Sequence, residues 1–380
     1  PIAAGLIQTG RAAFGLMPVV GAHGSGLEVW RSLCALPGFW TSVRLTLWIG
    51  FAATFLSLTL ATCFCATAHA RMTGRSAVRW LAPLLAAPHT AVAIGLAFVL
   101  APSGWIARLL APLVGWVRPP DLALINDPWG IALILGLMIK EIPFLLLVML
   151  AALSQIPVQQ HMAAARGLGY RRSVVWVKII APQVWPLIRL PVLVVLAYSL
   201  STVEMGIILG PSNPPVFSVF VMRLFMAPDL AMILPASAGA LMLAFLMGVA
   251  SATLFVAERL VRYTGLWWIR AGGRSSTVKP LLRIASLCVV ALFVIGALAM
   301  VSLVFWSLAW RWPWPSMLPE TWSFQPWRNA AGVLGSALGN TLLIAGASVF
   351  VSLALAILWL EGEDRKGRGR AGWGEVLIYL

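Results

Sequence analysis

The chain has 380 residues, of which 61% are hydrophobic and only 10% charged, with a mean hydropathy of +0.92 and a formal net charge of +15. A soluble domain carries roughly a quarter charged residues, so a water-covered globule is excluded and membrane lipid is the expected solvent. The basic excess is scattered over short loops between apolar runs, with no basic face or stripe, which excludes nucleic acid as a partner.

A helix crosses the hydrocarbon core in about 20 apolar residues. In chain order, spans are expected near 41–67, 80–100, 128–153, 187–208, 232–256, 285–305 and 336–358, with an eighth beginning near Trp373. The run 104–117 holds Arg108 and Pro112 and reads as a surface or re-entrant piece. The apolar runs are continuous rather than alternating, so the fold class is all-α, a polytopic transmembrane helical bundle and not a strand barrel. Cys34, Cys63, Cys65 and Cys288 show no metal-ligand spacing and read as small buried apolar residues.

Seventeen of the 27 basic residues fall in alternate loops, around 71–79, 166–178, 259–283 and 365–370. The positive-inside rule places those loops in the cytoplasm. Residues 1–40, 101–127, 209–231 and 306–335 then face outward.

The chain also repeats itself. TLWIGFAATFLSLTLA (46–61) matches TLLIAGASVFVSLALA (341–356), with Ser57 against Ser352 and Trp30-Arg31 upstream answered by Trp327-Arg328. Two parallel modules follow: residues 1–258 as a first module lacking its first helix, 259–284 as a basic cytoplasmic linker, and 285–380 as the truncated start of a second. On this reading the natural protein continues on the order of 130–170 residues past Leu380 and carries a second copy of the loop described next.

That loop is AAARGLGYRRSVVWVKIIAP (163–182). Ala164 and Ala165 allow close packing, Leu168-Gly169 marks a turn, and Ile179 and Pro182 close an amphipathic run thirteen residues after the glycine. Two short helices joined at Gly169 are expected, because glycine reaches positive φ without strain. The stretch resembles the EAA loop of binding-protein-dependent ABC importer permeases: Ala164, Ala165, Gly169 and Pro182 match, whereas Ala163 stands where that family has Glu. The runs LLAAPHTAVAIGLAF (84–98), KEIPFLLLVMLAALS (140–154), SLSTVEMGIILGPSNPP (199–215) and LALAILWLE (353–361) extend the resemblance to fused two-module permeases of the YnjC type, themselves related to thiamine and ferric-iron permeases.

The resemblance implies a MetI-like permease fold in a bacterial inner membrane. It also implies a dimeric cytoplasmic ATP-binding cassette ATPase docked on Ala164, Ala165, Leu168, Gly169, Ile179 and Pro182, and a periplasmic solute-binding protein. The chain should bind no cofactor itself, with ATP-Mg held in the partner. Consistent with that, no G-x-x-x-x-G-K-[ST] run occurs, and the H-E-x-x-H and G-x-S-x-G motifs are likewise missing, so no enzyme chemistry is expected.

Charged and hydroxylic residues inside the spans are the candidates for a solute path: Lys140, Glu141, Ser199, Ser201, Thr202 and Glu204. Lys140 and Glu141 point about 100° apart on a helix and need not pair with each other. Gly210, Pro211, Pro214 and Pro215 are expected to break the helix after Glu204. His89, after Pro88, reads as a hydrogen-bonded packing residue. An ion-coupled secondary transporter with Lys140, Glu141 and Glu204 as coupling charges is the alternative function, and the parallel repeat and the Gly169–Pro182 loop weigh against it.

Overall fold

A computed structural model describes residues 2–21, 24, 26–68, 74–270, 272–273 and 279–366; the eighth span expected near Trp373 and the basic residues of 367–370 lie outside them. The chain separates into two compact units, one running to Trp306 and including Pro313–Leu318, the other formed by Ser307–Trp312 and the chain from Pro319.

The first unit is built from α1 (Ile2–Ala13), α2 (Glu28–Ala35), α3 (Phe39–Ala68), α4 (Gly74–Ala86), α5 (His89–Leu100), α6 (Trp105–Val114) and α7 (Ile131–Leu153). After these come α8 (Val158–Gly167), α9 (Arg172–Val175), α10 (Ala181–Ser201), α11 (Glu204–Leu209), α12 (Phe217–Phe225), α13 (Ile233–Arg270) and α14 (Lys279–Leu308). Seven described helical stretches are long and apolar enough to cross a membrane.

Helix α7 is the central one. Sixteen of its 23 residues are buried, and α3, α4, α5, α10 and α11 all pack against it. Its start is fixed by Asp127, whose carboxylate accepts the amides of Ile131 (2.8 Å) and Ala132 (3.0 Å) and so satisfies two donors that the first turn leaves free. Gly130 sits at φ +69° against Ile49, where a side chain would be both strained and in collision. Helix α14 approaches α5 backbone to backbone: a Cβ at Gly95 would strike the Ala299 carbonyl, and the Ser302 hydroxyl donates to Gly95 O at 3.1 Å. Small residues permit such close contact between apolar helices that gain little from mutual desolvation in lipid.

Three departures from the sequence reading have local causes. The span expected at 80–100 is broken at Ala87-Pro88, since proline has no amide to donate and disfavours helix in the residue before it. The span expected at 187–208 starts earlier and stops at Thr202-Val203, upstream of the Gly210–Pro215 stretch. Helix α13 does not end near 256 but continues through Arg270; its 38 residues measure about 57 Å, well beyond the ~30 Å hydrocarbon core. Of the cysteines, Cys65 is buried and Cys34 and Cys63 are half-buried, but Cys288 is exposed on α14 rather than packed inside.

The run 104–117 forms the ten-residue α6, which together with α5 makes up His89–Val114, one of the seven stretches long and apolar enough to cross and not the separate surface piece expected. Its Arg108 is buried and donates to the carbonyls of Ser103, Pro313 and Ser316 at 2.6–2.8 Å, with the guanidinium 5.5 Å from the Trp314 ring centroid. Those bonds explain how a charge is kept in an apolar run.

In the second unit, β1 (Ala309–Arg311) pairs antiparallel with β2 (Thr321–Trp322), and α15 (Gln325–Lys366) follows. Helix α15 contains residues 341–356, the stretch that aligns in sequence with 46–61. Thr341 donates within its own helix, to Ala337 O, whereas the matching Thr46 accepts the Phe217 amide at 2.7 Å and caps the start of α12.

Candidate functional site: a polar level inside the bundle and an exposed loop

The two helix breaks lie beside each other, because α5 packs on α11 and both pack on α7. Lys140, on α7, is 4% exposed and turns its ammonium to the end of α4, donating to Leu84 O (2.8 Å), Leu85 O (3.1 Å) and Ala87 O (2.7 Å). A cation at the carbonyl end of a broken helix meets both its unpaired acceptors and the negative pole of its dipole. Glu141, next in sequence but on another face, accepts the hydroxyls of Ser57 on α3 (2.9 Å) and Ser199 on α10. The two charges therefore do not pair; each is answered by other helices.

The remaining expected path residues divide by exposure. Ser199 and Thr202 are buried, and the Thr202 carbonyl, released by the α10 break, accepts the Ser218 hydroxyl at 2.7 Å. Ser201 is half-buried and donates back to Ala197 O. Glu204 alone of the six is exposed. Its carboxylate accepts the Thr90 hydroxyl at 2.7 Å, and the rings of His89 and Tyr198 meet with centroids 4.7 Å apart. Ser57, Thr90 and Tyr198 escaped sequence reasoning. Isolated polar residues in apolar runs carry no pattern, although Ser57 falls within the repeat.

The stretch 163–182 takes the expected helix–glycine–helix form. Helix α8 ends at Gly167, Gly169 adopts φ +83°, and α9 begins at Arg172. Ala165 is buried, whereas Ala164 and Gly169 are exposed and Leu168 is 64% exposed at the tip. A Cβ at Gly169 would touch nothing, so the glycine is needed there for backbone conformation alone. Pro182 lies at the start of α10, directly after the π-helical turn Trp176–Ile180. The second half of the loop does not end at Pro182. It passes through one π-helical turn, Trp176–Ile180, which contains the half-buried Ile179, and runs on into α10. Lys178 in that turn donates to Trp268 O (3.2 Å), near the end of α13, and to Gly273 O (3.1 Å), past that end, with its ammonium 4.5 Å from the Trp268 ring centroid.

Seven long apolar helices, intramembrane charges answered inside the bundle and an exposed loop between two of the spans define a multi-pass α-helical membrane protein. No family model matches the chain. It is similar, at 29% identity over 284 residues, to the inner membrane ABC transporter permease protein YnjC of Escherichia coli strain K12. The match takes in 74% of this chain and 49% of the relative, so the chain spans about half the length of the curated relative it matches.

Proposed function

We propose that this chain is the membrane-spanning part of an ABC importer permease in a bacterial inner membrane. It forms part of the solute path and couples it, through the loop 163–182, to a separate ATPase that holds ATP-Mg. A periplasmic solute-binding protein delivers the solute, and two permease modules in tandem, each MetI-like, serve the two ATPase subunits.

The observation that carries this reading is mechanical continuity. The exposed loop leads into one continuous helical rod of 30 residues, Arg172–Ser201, about 45 Å long, which includes a π-helical turn and Pro182, Pro186 and Pro191. The far end of that rod is the Thr202-Val203 break, directly before Glu204. A push on α9 by a closing ATPase is delivered along this rod to the one exposed carboxylate among the expected path residues. The similarity to a permease over three quarters of the chain supports the same reading. Ion-coupled transport would need Lys140 and Glu141 to exchange partners, yet both are held by hydrogen bonds from several helices.

Co-purification tests the proposal. The full-length protein should carry an ATP-binding cassette ATPase through detergent extraction and size exclusion, and Leu168→Glu should release it without changing the elution volume of the permease. Retention of the ATPase by that variant would remove the loop from the interface.

A further inference from the structure

The geometry points to Glu204, with Thr90 and the ring face of Tyr198, as an anchoring site for the positively charged group of an organic cation. The inference rests on the permease reading above and adds the chemical class of the solute.

Ten residues of α5, about 15 Å, continue beyond Thr90 toward the 101–127 loop. Glu204, bonded to Thr90, therefore lies part-way along the span rather than at its end, with its side chain exposed at that level. A carboxylate at such a depth is costly unless it meets water, a donor or a cation. An ionised carboxylate offers about four acceptor positions, and Thr90 fills one. Among the described residues the ion pairs are Arg311–Glu320 and Arg365–Glu361, and neither involves Glu204. Lys140 does not serve it either, because its ammonium is turned to three backbone carbonyls.

Beside the carboxylate, the half-buried rings of Tyr198 and His89 meet at 43°, and an aromatic face adds attraction for a desolvated cation. Ile94 and Ile207 lie one turn from Thr90 and Glu204 on the same helix faces and are both exposed, giving the site an apolar margin. One carboxylate, one hydroxyl and aromatic rings suit an ammonium or a heteroaromatic cation. A bare divalent ion wants several oxygen ligands, and no group of three metal-ligating side chains occurs among the described residues.

The test is calorimetric binding to the purified full-length protein, with N-methylpyridinium, tetramethylammonium and spermidine as probes and glucose and succinate as uncharged and anionic controls. At least one cation should bind and the controls should not. Glu204→Gln should weaken that binding tenfold or more, and Thr90→Val threefold or more. If Glu204→Gln aggregates on size exclusion, Thr90→Val and Glu204→Asp carry the test with the same threefold threshold. Binding of no cation, or equal binding by the folded variants, overturns the inference. So does a Glu204→Gln protein that binds cations normally but loses stability, which would set the carboxylate against a basic side chain elsewhere in the protein. ATPase co-purification is read on the same samples. Its presence without cation binding overturns this inference alone, and its absence overturns the permease reading beneath it.

Discussion

Replacing Lys140 by Met probes the join between α4 and α5. The ammonium makes three hydrogen bonds of 2.7–3.1 Å, all to carbonyls that the break leaves without helical donors. A net hydrogen bond to a charged group contributes about 1.5–3 kcal/mol. Against their loss stands the desolvation of a lysine that is 4% exposed, which methionine of similar length avoids. Taking the three bonds as partly offset by that relief, Lys140→Met should destabilise the bundle by about 2–4 kcal/mol. Glu141→Gln, in the same turn, should cost no more than about 1 kcal/mol, because the amide still offers an acceptor and Ser199 already has a second acceptor in Val195 O. Reversible unfolding of the full-length protein in mixed micelles, followed by tryptophan fluorescence, measures both. If Lys140→Met matched the wild type while Glu141→Gln unfolded early, the ammonium would not be what holds the break.

Gly169→Asn should keep coupled ATPase activity within about twofold, since asparagine tolerates positive φ, whereas Gly169→Val should strain the turn by about 1–2 kcal/mol or more and sharply reduce ATPase stimulation in proteoliposomes. Lys178→Met should free the end of α13, so that amides around 268–273 exchange with deuterium several-fold faster while those of α7 do not change; uniform exchange would remove the Lys178 tether. With the native cysteines replaced, a cysteine at Val117 should react with an impermeant maleimide in right-side-out vesicles and one at Leu168 in inside-out vesicles, and labelling of both in the same vesicles would break the proposed topology.

Hydropathy alone reveals the long helices because lipid imposes one requirement on every residue of a span. The breaks are a different matter. Pro83 and Pro88 hint at the first, but what makes it tolerable is Lys140, more than fifty residues away in sequence. The second break, at Thr202-Val203, has no proline or glycine to mark it, and the carbonyl it frees is satisfied by Ser218 from α12. The Gly169 turn could be read directly because positive φ is a local demand that glycine answers alone. The separation of Lys140 from Glu141 was also readable, from helical geometry. Their partners were not, since Ser57 and Ser199 come from helices whose rotation only packing decides. The same limit hid the division of the path candidates, in which five residues are buried or half-buried and Glu204 is exposed.

The most direct test of the permease reading is a photo-crosslinking amino acid placed at Leu168, the exposed tip of the loop, in the full-length protein in inner-membrane vesicles. A crosslink to an ATP-binding cassette ATPase, changed in yield by ATP and missing when the probe stands at Val117, is the expected result. No ATPase adduct at Leu168, or an equal adduct at Val117, would contradict it.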